Sequence, residues 1–219
     1  MRGPRVLLGA VLAAALTVTG ALALPAPADA GTSYHHLLRW AVRHLPVADE
    51  TRAGYDRDKF VHWIDADGDC QDTRDEVLDA ESLEAVSGCD IQRGRWFSTY
   101  DRVTVRRSTN LDIDHMVALA EAWDSGAKQW KPRTRKRFAN DLGDRRSLAA
   151  VTASSNRSKG DSDPAEWLPE FGTCAYVRHW VAVKVRWQLT VDDTERTTLR
   201  RLARGCDNDV IRVERVRTP

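Results

Sequence analysis

Apolar residues fall into short, interrupted groups along this chain, and their spacing predicts several helices around a few strands. Leu37, Leu38, Val42 and Leu45 share a face and predict a helix over 32–45. A polar connection follows over 46–58, then a short apolar run, 60–64, leading into an acidic loop. Val77, Leu78 and Leu83 have helical spacing within 73–85, whereas 96–105 favours strands between turns marked by Gly88 and Gly94. The stretch 111–117 reads as a strand running into a turn, 118–127 as a helix stopped near Gly126, and 133–140 as a short basic helix. A second strand is predicted over 148–152 and a polar loop over 154–161. Asp163 followed by Pro164 has the form of a helix start, a cap and then proline at the first position. Tyr176, Trp180, Val183 and Trp187 recur at helical spacing and predict an amphipathic helix over 174–189. Asp193 opens a last helix carrying Leu199 and Leu202 towards Cys206. Strand, strand and helix around His115 and Asn156, with further helices outside, give the class α+β. No internal repeat is present.

The first thirty residues change the picture of size and compartment. Arg2 and Arg5 precede an apolar stretch over 6–24, and Ala28-Asp29-Ala30 has the small-x-small form of a cleavage site. This predicts a secretory signal over 1–30, too short and broken for a stable membrane span. The remainder is expected to form an N-terminal helical extension over 31–58 and one domain over 59–219. No later segment is apolar enough to cross a bilayer, so the mature chain should be secreted, with no membrane role and no obligate protein partner evident. Without 1–30, 31 basic and 31 acidic residues remain, so net charge does not announce a polyanion partner. Distribution says more: 65–90 holds ten acidic residues and one basic, Arg74, while 128–146 holds eight basic and two acidic. The basic stretch suits either a phosphate backbone or an ordinary solvated helix face. Four cysteines suit an oxidising compartment. Three pairings exist, and Cys70 with Cys89 and Cys174 with Cys206 is expected, because each bridge then staples its own local unit. With no CxxC, a zinc–thiolate site is not expected.

The candidate chemistry lies in Asp112-Ile113-Asp114-His115 and Asn156-Arg157-Ser158-Lys159. One pairs a histidine with carboxylates; the other adds an amide and a lysine in a polar segment. A single-metal nuclease needs a group to bind a divalent ion, a neutral imidazole to take a proton from water and cations to hold phosphate. In a strand, Asp114 and His115 point to opposite faces, so both address one site only if the backbone turns there. Asp65, Asp67, Asp69 and Glu76 are spaced like the ligands of a calcium loop, but Cys70 stands where that loop needs glycine. Arg74, the one cation of this segment, is expected either in an ion pair or as a clamp on the scissile phosphate.

Together these segments resemble the HNH, or ββα-metal, nucleases, including the HNH domain of RNA-guided CRISPR nucleases. The resemblance is closer to secreted actinobacterial HNH endonuclease family proteins related to the GmrSD C-terminal region. It runs through FVHWIDADGDCQDTRDEVL (60–78), DIDHMVALAEAWDSGA (112–127), FANDL (138–142) and AVTASSNRSKGDSDPAEWLP (150–169), and on to the Cys174, Tyr176, Trp180 and Lys184 helix. It implies a disulfide-stapled ββα core that hydrolyses DNA, and RNA as an open alternative, with Mg2+ or Mn2+ as cofactor. It assigns His115 as general base, Asp114 and Asn156 as metal ligands and Lys159 to the phosphate, and leaves Asp112 to orient the loop. One departure stands out: Ser147 occupies the place where the pattern has an asparagine that holds the imidazole. That departure keeps open a non-hydrolytic alternative, a secreted nucleic-acid- or wall-binding protein with a weakened site. A nuclease toxin is disfavoured, since little chain remains for a delivery domain.

Overall fold

The computed structural model describes Gly3 and residues 32–218, so the predicted signal and its cleavage site lie outside the described residues. Three separate antiparallel strand pairs are set among helices. β1 (Ser33–Leu37) pairs with β6 (Val210–Glu214), so Ser33 faces Glu214. β2 (Arg93–Phe97) pairs with β3 (Thr104–Arg107). β4 (Leu111–His115) pairs with β5 (Leu148–Thr152), from Leu111 opposite Thr152 to His115 opposite Leu148. The helices are α1 (Leu38–Arg43), α2 (Thr73–Glu81), α3 (Leu119–Asp124), α4 (Pro132–Ala139), α5 (Ala153–Lys159), α6 (Thr173–Trp187) and α7 (Asp193–Arg204).

Three local predictions need correction. The 32–45 helix begins only at Leu38, because 33–37 is drawn into a strand by β6, a partner nearly the whole chain away. The 154–161 loop is instead α5. Thr152 caps it by accepting from the Ser155 N–H, and Gly160, at φ 56°, ends it. It has no apolar stripe, so periodicity could not reveal it; polar contacts to β4 hold it. Asp163 does cap, Oδ1 accepting from the N–H groups of Ala165 and Glu166, but only a turn follows. Pro169 lies too soon after for a helix to propagate.

Trp180, Val181 and Trp187 of α6 are fully buried, and this helix runs through the main core between α1, α3, α7 and β6. Tyr34, Leu38, Ala41, Val42 and Leu45 join that core, so the N-terminal segment packs with the rest. A smaller core of Val77, Leu78, Trp96, Leu111, Ile113 and Leu148 holds α2 against two of the strand pairs. The two disulfides pair as expected, Cys70 with Cys89 and Cys174 with Cys206, each contributing roughly 2–4 kcal/mol.

In the last turn of α6 the fully buried Lys184 ammonium lies within hydrogen-bond distance of four acceptors, Glu121 Oε1 (2.5 Å), Ser125 Oγ (2.6 Å), Thr190 O (2.9 Å) and Glu195 Oε2 (3.0 Å). Glu50 joins through Ser125, so three carboxylates surround one ammonium. Removing the ammonium with Lys184→Ala should cost about 3–5 kcal/mol, because buried carboxylates are left uncompensated.

Burial pushes Glu50 and Glu81 each up to about 7 and moves Glu195 in the same direction. The folded chain thus keeps protons that the unfolded chain has released. The stability so gained is complete below about pH 4.5 and is lost as pH rises through about 7. His115 and His179, depressed by burial to about 3 and about 4, act oppositely, but only below the ordinary histidine value of 6.5. Thermal midpoints should therefore fall as pH rises from about 6.5 to about 8, and Glu81→Gln should remove part of the slope. A midpoint that stays flat or climbs across that interval contradicts the assignment.

Candidate active site

β4, β5 and the helix that follows directly, α5, form the unit that carries the candidate chemistry. The strand stays in register through His115, so its side chains alternate. Asp112 and Asp114 face α5, while Ile113 enters the smaller core on the other side. The strand runs to His115 and bends only at Met116 and Val117, as expected for 111–117, so the side chains of Asp114 and His115 diverge.

On the α5 face, Lys159 and Asp114 form a closed pair, 1% and 4% exposed. The Lys159 ammonium donates to Asp114 Oδ1 (2.7 Å), Asp114 Oδ2 (2.9 Å) and the His115 carbonyl (2.9 Å), which uses all three of its protons. Tyr100 OH donates to Asp114 Oδ2 at 2.6 Å. Burial, and then the neighbouring Asp114 charge, hold that phenol well above its usual pKa, so it remains a donor. Lys159 was expected beside phosphate on an open loop; the structure places its ammonium inside, on Asp114. Asn156, three residues earlier on α5, meets Asp112 instead of Asp114, its Nδ2 donating to Asp112 Oδ2 at 3.2 Å. Arg157 Nε lies 3.6 Å from the same oxygen. The second oxygen of Asp112 and the amide oxygen of Asn156 have no hydrogen-bond partner among the described residues, and both residues are half-buried.

On the opposite face, His115 is 6% exposed. Its Nε2 lies 2.9 Å from the carbonyl of Ala139 at the end of α4. A carbonyl only accepts, so Nε2 carries the proton and Nδ1 the lone pair. Nδ1 has no hydrogen-bond partner among the described residues. The ring stacks near Trp63 (5.4 Å between centroids) and Phe138 (6.4 Å). Trp63 holds its place with a left-handed backbone, φ 55°, a conformation that costs a large residue of order 1–3 kcal/mol. Burial drives the imidazole pKa down to about 3, the Ala139 bond opposes this, and Arg57, His62 and Lys159 add to the fall. At neutral pH the ring is uncharged and its lone pair is available.

The remaining sequence candidates fall elsewhere. Arg74 forms no ion pair among the described residues; its Nη2 donates to the carbonyls of Ser108 and Leu111, bracing α2 against the end of β4 farthest from His115. Ser147 does not address the imidazole. Its buried hydroxyl donates to Asp141 Oδ2 at 2.7 Å, and the Ala139 carbonyl performs the orienting task assigned to that position. Carboxylates of Asp65, Asp67 and Asp69 gather within 4.8 Å of one another, exposed, with Asp65 accepting from the Gly68 and Cys70 N–H groups. Sequence reasoning missed Trp63, Phe138, Tyr100 and the Ala139 carbonyl. The first two were visible only as aromatic residues, and a carbonyl has no signature in a sequence.

Comparison with known proteins places this geometry in a family. Residues 71–202, which include β4, β5 and α5, match the family described as GmrSD restriction endonucleases, C-terminal domain. A protein of the fungus Arthroderma benhamiae, described as an uncharacterized secreted protein, is 38% identical over 204 residues, which cover 88% of this chain and 97% of that one. No solved structure matches. The chain belongs to the family of GmrSD restriction endonuclease C-terminal domains.

Proposed function

We propose that this chain is a secreted, metal-dependent endonuclease of the ββα type that hydrolyses phosphodiester bonds in nucleic acid, DNA first, with His115 as general base. The observation that carries the reading is the state of His115. Its Nε2–H is fixed on the Ala139 carbonyl and its Nδ1 lone pair has no hydrogen-bond partner among the described residues, on a strand pair whose other face turns the carboxylates of Asp112 and Asp114 towards α5. A pKa near 3 makes a weak base in the free protein. A phosphodiester brings a negative charge beside the ring, which raises its proton affinity as it takes the proton of the attacking water. The secreted relative, the family match and the two disulfides support the compartment and the reaction class.

The donor set suits a hard divalent ion such as Mg2+ or Mn2+, which takes oxygen ligands and keeps several waters. Asn156 and Asp112 offer open oxygens, and Asp114 joins them only where Lys159 withdraws from it. The ion would supply charge stabilisation at the leaving oxygen. His115 takes the proton; Trp63 and Phe138 keep its ring in place; Lys159 holds α5 against β4. Arg74 acts on this site only by keeping β4 where it is. One observation favours the second reading, a nucleic-acid- or wall-binding protein without hydrolysis: both Asp114 oxygens are already satisfied by Lys159 and Tyr100.

Plasmid digestion with Mg2+ and with EDTA separates the readings, since cleavage should require the ion. His115→Ala should lower the rate by ~10²–10⁴-fold with the fold preserved by circular dichroism. Wild-type cleavage by that variant would exclude His115 as the base. Mn2+ binding, followed by calorimetry, should weaken in Asp112→Asn and Asn156→Ala. Asp114→Asn should instead lower the thermal midpoint, because it leaves the buried Lys159 ammonium without its counter-charge. Ser147→Asn should also destabilise, since a larger side chain must enter a buried site whose hydroxyl serves Asp141; a gain in activity from it would overturn the orienting role given to the Ala139 carbonyl.

A further inference from the structure

We infer that the outer face of α4 is the track that binds the sugar-phosphate backbone of the substrate and registers it against His115. The inference rests on the nuclease reading for the identity of the polyanion and on α4 itself for the surface. This helix has two faces with different tasks. Its inner face supplies Phe138 and the Ala139 carbonyl, the seat of the imidazole. Its outer face carries Arg133, Lys136 and Arg137, all exposed and without an ion pair among the described residues. Residues three and four apart share a helix face at about 5–6 Å between Cβ atoms, so the three cations form one ridge.

The ridge borders a concave region of about 500 Å³, with Asn140, Ile64 and Trp187 among its other walls. Its one acidic wall residue, Asp141, is already neutralised: Arg186 donates to both oxygens (2.7 and 2.8 Å) and Trp187 Nε1 to one (2.9 Å). Among the lining residues, Arg133, Lys136 and Arg137 are thus cations without an acidic partner. Asn140, next in sequence to the carbonyl that fixes His115, is locked by donating to the carbonyls of Val61 and Lys136. Cation ridge and imidazole seat are thus parts of one rigid turn.

The placement of charge within α4 argues the same way. Lys136 and Arg137 lie in the last turn, where cations favour the helix dipole. Lys131 at the N-cap and Arg133 beside it lie where cations oppose it, with no acidic residue in that turn and no side-chain cap. The chain itself does nothing to offset this cost; a polyanion laid along the ridge would. A rival basic patch exists where α1 meets α7, with Arg39, Arg43, Arg200 and Arg204. It has no contact with the imidazole seat, and the Arg39 guanidinium is spent on the carbonyls of Ala203, Arg204 and Cys206.

The test is binding of a fluorescent DNA duplex by the full mature chain in EDTA, so that no cleavage is needed, across about 50–200 mM salt. Arg133→Gln, Lys136→Gln and Arg137→Gln, combined, should weaken binding roughly tenfold or more and reduce the salt slope by about one per cation removed. Arg43→Gln with Arg200→Gln should change neither. Circular dichroism and thermal midpoints keep folding separate from binding, and the single variants stand in if the triple does not fold. Unchanged binding in the α4 variants overturns the proposal. So does a loss that follows the α7 pair, or equal retention of heparin and DNA with the same slope, which would mark a general polyanion surface. If the α4 variants lose DNA but the wild type never cleaves it with Mg2+, the track stands and the nuclease reading falls.

Discussion

The ion pair between Lys159 and Asp114 is the constraint on which the site depends. α5 has seven residues, no apolar stripe and little intrinsic reason to be helical. What holds it is a buried ammonium that crosses from its last turn to two carboxylate oxygens and a carbonyl of β4. Desolvating both charges costs several kcal/mol per ion, and the pair is tolerable because every proton of the ammonium has an acceptor. Asn156 meets Asp112 only because Lys159 has fixed the helix one turn away. The carbonyl that Lys159 grips belongs to His115 itself, so the same contact sets the backbone from which the imidazole projects.

Lys184 repeats the device in the main core. Lys159 finds its acceptors on two adjacent residues of one strand, whereas Lys184 gathers them from three segments, at Glu121 and Ser125, at Thr190 and at Glu195. In both, the pairing defines a position more than it adds stability, since a buried ion pair is a weak source of net stability. The two clusters differ in charge balance. At Lys159 one carboxylate meets one ammonium. At Lys184 three carboxylates surround one ammonium, and burial, with the neighbouring Glu121 charge, raises Glu50 and Glu195 there.

Legibility in the sequence followed the kind of force involved. α6 and the two strands of the central pair were readable, because apolar periodicity reports burial directly. Both disulfides were readable from spacing alone. α5 was not, because its stability lies in polar contacts to a strand 44 residues earlier. The residue types of the site were legible: an aspartate-histidine pair, an asparagine and a lysine. Their partners were not. Lys159 reads as an exposed cation in a polar run, and only the packed structure turns it inward. Ser147 reads as a lost orienting group, while the orienting group is a backbone carbonyl that any residue could supply. Arg74 reads as the odd cation in an acidic stretch, and two carbonyls at the start of β4 account for it.

The pairing of β1 with β6 has a consequence for how the chain reaches this state. Ser33 lies opposite Glu214, so the first and last strands close one loop around everything between them. The entropy of that closure grows only slowly with loop length, but it cannot be met until both ends are present. Tyr34, Leu38, Ile211 and Val213 then enter the main core together. A chain made from its N-terminus has β4, β5 and α6 available before β1 can find its partner. Completion of the core therefore waits for β6, and a chain stalled short of residue 210 has an unclosed core and an unpaired β1.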